Sequence, residues 1–94
     1  QPDALRDVIE EKKTKPFQIS YTRGEDLYIA VGYGEQECSG YSISVNELFE
    51  TENSIVIDTT LIGPKETEQT AQTPSYPYVV VKTEGIADKN VEFR

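Results

Sequence analysis

The sequence predicts an α+β fold: mainly antiparallel β-sheet or a small sandwich of about six strands, with one N-terminal helix. Three observations carry this. Ile, Val, Tyr and Phe dominate the apolar residues, and β-branched and aromatic side chains suit a pleated surface. Apolar and polar residues alternate with period two over several short runs separated by turn residues. Only residues 3–15 show helical spacing before the first proline-marked break.

Residues 3–15 read as a short amphipathic helix. Asp3 is a candidate cap, Leu5, Val8 and Ile9 share one face, and Arg6 and Glu10 stand one turn apart as a potential pair. Pro16 ends the helix because Lys15 is pushed out of the α region. A stripe of three apolar side chains makes such a helix stable only when it docks on the sheet. The rest of the chain, 17–94, is the β-rich body, and 1–94 reads as a single domain.

Phe17, Ile19 and Tyr21 alternate with Gln18, Ser20 and Thr22, and Arg23-Gly24-Glu25 supplies a turn. Leu27, Ile29, Val31 and Tyr33 alternate in the return strand, so 17–33 reads as a hairpin. A polar loop runs from Gly34 to Gly40. Beyond it Tyr41, Ile43 and Val45 are expected inward, with Ser42, Ser44 and Asn46 outward. The alternation slips by one residue near Glu47-Leu48-Phe49, which predicts a β-bulge. Thr51-Glu52-Asn53 turns the chain into a strand carrying Ile55, Ile57, Thr59 and Leu61 on one face. Gly63-Pro64 opens a polar loop through Pro74. Tyr76–Thr83, with its run Val79-Val80-Val81, reads as a central strand buried on both faces, although Pro74 and Pro77, which donate no N–H, place its entry at a sheet margin; Val91-Glu92-Phe93 reads as a short closing strand.

The charge is acidic, nine Lys plus Arg against seventeen Asp plus Glu, a net −8. Such a surface is repelled by nucleic-acid backbones and by anionic membranes, so neither is expected as a partner. No apolar run approaches the ~20 residues of a membrane-spanning helix, and direct membrane insertion by this segment is not expected. Cys38 is the one cysteine, so an internal disulfide is excluded and packing must supply stability.

Catalytic chemistry has little to work with. There is no histidine, which removes Ser–His and Cys–His nucleophile pairs. Cys38-Ser39-Gly40 fails the nucleophile-elbow pattern because Glu37 stands where its first glycine belongs. Close acidic pairs such as Glu35 with Glu37 and Glu66 with Glu68 lack calcium-loop spacing, and zinc ligands cannot be assembled, so no metal or cofactor is expected. Gly32-x-Gly34 lacks the third glycine of a phosphate cradle. The expectation is therefore a non-enzyme that works by recognition. Large amphipathic tyrosines beside loops are the residue type for that work, since they bury much area at low entropic cost. Tyr41 after Gly40, and Tyr76 and Tyr78 around Pro77, are so placed. The competing reading makes them packing corners with only their hydroxyls at the surface.

Three motifs in order carry a family resemblance: Ser39-Gly40-Tyr41-Ser42-Ile43-Ser44-Val45, then Leu61-Ile62-Gly63-Pro64, then Thr73-Pro74-Ser75-Tyr76-Pro77-Tyr78-Val79-Val80-Val81. Over roughly residues 26–84 the chain resembles the PrcB C-terminal domain family, named for an accessory protein of a bacterial cell-surface serine-protease complex. Ser39 stands where many members have the first glycine of a Gly-Gly-Tyr opening. The resemblance implies a small β-rich fold in an extracytoplasmic setting, secreted or anchored to the cell envelope by parts not present in this chain. It also implies a protein partner, a secreted protease among the partner types, for which the domain is an accessory, assembly or stability factor. The expected contact residues are Gly40, Tyr41, Pro74, Tyr76, Pro77 and Tyr78. A looser similarity joins the loops at 35–41 and 63–78 to the wedge loops of chagasin-type cysteine-protease inhibitors, which makes protease inhibition the alternative.

Overall fold

The computed structural model describes residues 2–65, 69–86 and 88–94. One helix, α1 (Asp3–Lys12), precedes six strands: β1 (Pro16–Arg23), β2 (Asp26–Tyr33), β3 (Ser42–Glu50), β4 (Ser54–Ile62), β5 (Tyr78–Thr83) and β6 (Asn90–Phe93). They form two three-stranded sheets, ordered β1-β2-β5 and β3-β4-β6. All pairings are antiparallel except β4 with β6, which run parallel. The α+β expectation therefore holds, with a parallel pair added to the otherwise antiparallel scheme.

The layers follow from β2, whose side chains are apolar on both faces. Leu27, Ile29 and Val31 point to the second sheet and join Ile55 and Ile57 of β4 in one buried core, flanked by Val79, Val81, Val91 and Phe93. Ala30, on the opposite face of β2, meets Leu5 and Ile9 of the helix, with Phe17, Ile19, Tyr21, Tyr28 and Val80 around them. The molecule is thus helix on sheet on sheet, with the first sheet in the middle. Leu5 and Ile9 are 1% and 0% exposed, and burying each stabilises by about 1.5–3 kcal/mol, which is what holds a ten-residue helix in place.

This arrangement corrects the strand hierarchy. The doubly buried strand is β2, whereas β5 lies at the margin of its sheet and its three valines are only half-buried. Three consecutive valines look the same whether both faces are buried or each is half-covered, so periodicity could not separate the cases. The hairpin register explains a second point. Phe17, Ile19 and Tyr21 pair with Gly32, Ala30 and Tyr28, so they face the helix, not the core that holds Leu27 and Ile29. Phe17 lies over Gly32 so closely that a Cβ there would overlap the ring.

Helix details differ too. Pro2 occupies the cap position and no side chain caps the helix; Asp3 sits inside the first turn, where its charge complements the helix dipole. The helix stops at Lys12, and Lys13 to Lys15 form a turn before Pro16. Arg6 approaches Asp3 at 3.8 Å and Lys13 bonds Glu10 at 2.9 Å, in place of the Arg6–Glu10 pair.

The bulge is real and falls between Val45 and Glu47, with Asn46 as the extra residue. The Asn46 amide donates to Thr60 Oγ1 at 2.6 Å and Ser44 donates to Asn46 Oδ1 at 3.0 Å, so the bulged residue is fixed across the sheet's outer face. Val45 was expected inward. It lies on the inner side in register with Thr59, yet it is 38% exposed because β3 is an edge strand that the first sheet does not cover.

Candidate functional site

The segments that the sequence singled out meet at one end of the molecule. Gln36 and Ser75 form an isolated antiparallel bridge, with backbone bonds of 2.8 and 3.0 Å. The Ser39 N–H donates to the Ala71 carbonyl at 3.1 Å, and the Ala71 N–H returns a bond to Ser39 Oγ at 2.8 Å. Ser75 Oγ donates to the Cys38 carbonyl at 2.7 Å, and the Tyr33 N–H to the Pro77 carbonyl at 3.1 Å. The loop after β2 and the strap before β5 are therefore stitched along their lengths by backbone and hydroxyl bonds.

Gly40 belongs to this seam. Its φ of +95° is open to glycine, and a Cβ would come within 2.9 Å of Pro64 and 3.0 Å of Thr70. Tyr41 is half-buried, with its ring in contact range of Gly63: a Cβ there would sit 3.5 Å from the ring edge. The glycine–tyrosine and glycine–proline motifs are thus two halves of one packing joint. Ser39, which replaces a glycine of the expected pattern, contributes its hydroxyl to the seam.

The remaining candidates differ in freedom. Tyr76 is half-buried and donates its hydroxyl to Glu35 Oε1 at 3.0 Å, while the Lys13 ammonium sits 5.2 Å from its ring centre. The Glu35 bond and charge raise the Tyr76 pKa above its ordinary value, with burial adding in the same direction and Lys13 opposing. The bond to Glu10 in turn raises Lys13. Helix end, loop and strap are linked through this one tyrosine. Pro77 is half-buried, and only Pro74 and Tyr78, the latter 38% exposed, stand open to solvent.

Three of the other exposed large apolar side chains lie away from the seam, and a fourth, Ile62, borders it. Val45, Leu48 and Phe49 on β3 and Ile62 at the end of β4 are 38–48% exposed. Sequence reading passed over them because alternation assigned Val45 to the core and treated Leu48-Phe49 as a consequence of the bulge. The available signal was that slip itself: two adjacent apolar residues in a strand must point to opposite faces.

Chemically, the site offers contact surface. Among the described residues no group of three His, Cys, Asp or Glu side chains could hold a metal ion, and no helix is long and apolar enough to cross a membrane. Cys38 is half-buried with its backbone carbonyl engaged by Ser75.

No curated protein and no solved structure matches this chain. A family model, PrcB C-terminal, matches residues 27–84, from the start of the doubly buried β2 through the seam to the residue after β5. The joint at Gly40, Tyr41, Gly63 and Pro64 and the strap into β5 all fall within that span, and the chain belongs to the PrcB C-terminal domain family.

Proposed function

We propose that this domain works by protein contact and not by catalysis, as an accessory factor that assembles or stabilises a protein partner outside the cytoplasm, with a secreted protease the partner class its family name favours. One observation supports this most: among the described residues three large apolar side chains, Val45, Leu48 and Phe49, stand exposed along the single strand β3, with Ile62 exposed at the far end of its partner β4. Exposed apolar side chains grouped along one strand of a small acidic domain suit a role in protein contact. In this reading Tyr78 and Pro74 are available for direct contact, whereas Gly40, Tyr41, Tyr76 and Pro77 act by shaping the seam. The test is capture from a native cell-envelope fraction on the immobilised domain. A defined polypeptide should be retained in stoichiometric amount. Retention no better than on a heat-unfolded control, or turnover of a substrate by the purified domain, contradicts the reading.

Protease inhibition is the second reading, and the seam is what favours it. The described parts of loops 35–41 and 63–78 lie side by side, as a wedge inhibitor requires. Titration against papain-like and subtilisin-like proteases separates the two: stoichiometric loss of activity supports inhibition, and undiminished activity removes it.

A further inference from the structure

We infer that the open edge of β3 takes up an extended segment of the partner as an added strand, and that this segment is apolar at alternate positions and carries basic side chains. The inference rests on the binding role proposed above and names its surface and ligand chemistry. A sheet edge exposes a row of backbone donors and acceptors, and proteins normally blunt such edges with proline, short length, charged side chains or bulges. Among the described residues three of the four edges carry proline at their entry or are short. The β1 edge opens on Pro16 and shows Gln18, Ser20 and Arg23 to solvent; β5 follows Pro77 and carries Lys82; β6 has four residues. The β3 edge has neither device and is blunted only by its bulge at Asn46 and by Glu47 and Glu50. It is nine residues long, contains neither proline nor lysine, and exposes Val45 and Leu48 on one face and Phe49 on the other.

Apolar side chains on both faces of an edge suit an added strand, whose alternate residues fall against each face in turn. The bulge at Asn46 leaves Glu47–Glu50 as the straight portion beside it. Charge sets the class of occupant. Among the described residues Glu47, Glu50 and Glu52 line this end of the hairpin; Lys89 holds Glu50 and donates to the Thr51 carbonyl at 2.6 Å, and the Arg94 guanidinium, paired with Glu92, lies 5.8 Å from the Phe49 ring centre. An acidic rim attracts a basic segment and speeds its encounter. A second copy of the chain would bring the same rim and the same net charge of −8, so repulsion works against that occupant.

The probe is an alternating Lys–Val decapeptide, titrated into the isotope-labelled domain and followed by amide shifts and amide exchange. Binding should shift and protect Ser42–Glu50, and an alternating Glu–Val decapeptide should fail to do so. The Glu47→Lys/Glu52→Lys variant alters only exposed carboxylates, so it should keep the fold and lose about tenfold in affinity for the Lys–Val peptide. Leu48→Lys should weaken it similarly. The inference is overturned by shifts mapping to β1, β5 or the seam, by no binding of the Lys–Val peptide, by equal binding of the Glu–Val peptide, or by an unchanged affinity in the charge-reversed variant. A dimer in sedimentation that Leu48→Lys dissociates would identify a second copy as the occupant and overturn it as well. If the envelope capture described above succeeds equally well with Leu48→Lys, the domain binds protein elsewhere and only this inference fails. If capture fails for the unaltered domain, the binding role itself fails.

Discussion

Gly32 and Tyr76 show how single residues set the geometry here. Gly32 sits in the doubly buried strand, where Phe17 fills the space that a side chain would take. Gly32→Ala should therefore destabilise the domain by about 1–3 kcal/mol in urea unfolding, the usual cost of overpacking. Shortening the opposing side chain, as in the Phe17→Leu/Gly32→Ala pair, should return part of that loss. Tyr76 makes a titration prediction. Its folded pKa is raised above 10.0, mainly by its bond to Glu35, so the stabilising bond is intact below the unfolded value and is lost as pH climbs through the raised one. In an ultraviolet tyrosinate titration Tyr76 should ionise late, and Glu35→Gln should bring it back toward the ordinary range. A titration unchanged by Glu35→Gln would remove the Tyr76–Glu35 link. Neither feature was legible beforehand: Gly32 read as a failed phosphate motif, and nothing in sequence links Tyr76 to Glu35 and Lys13.

At the scale of elements, the helix depends on two side chains. Ile9 is fully buried against the middle sheet, so Ile9→Ala should cost about 2–5 kcal/mol, with the helical signal in circular dichroism lost together with the sheet signal. Loss of helix alone at low denaturant would show that α1 is an independent appendage. The position of every strand was legible within two residues from alternation and turn chemistry, including the bulge, because period two reports which side of a strand is wet. What stayed hidden was pairing. The valines of β5 gave no sign of a marginal position, which only the prolines at its entry marked, and β6 gave none of its parallel partner β4, because partner choice depends on contacts distant in sequence. The candidate site divided along the same line. The motif glycines, prolines and tyrosines were found, but most of them serve the seam, and the exposed apolar residues of β3 emerged only once the sheet order was known.

Across the whole molecule, two small sheets and a helix bury one core between the sheets and a second under the helix, and leave β3 outside both. The Cα radius of gyration of 14.5 Å exceeds the ~12 Å expected of a compact chain this long, in keeping with sheets that cover each other only in part. Such a body has surface to offer a partner, and its acidic charge favours partners of opposite sign. The central claim is that this surface, with the β3 edge at its heart, is what the protein contributes. Amide hydrogen exchange of the domain alone and in complex with its captured envelope partner tests that directly. Protection concentrated on Ser42–Glu50 is the expected result; a complex whose β3 amides exchange as fast as those of the free domain would contradict it.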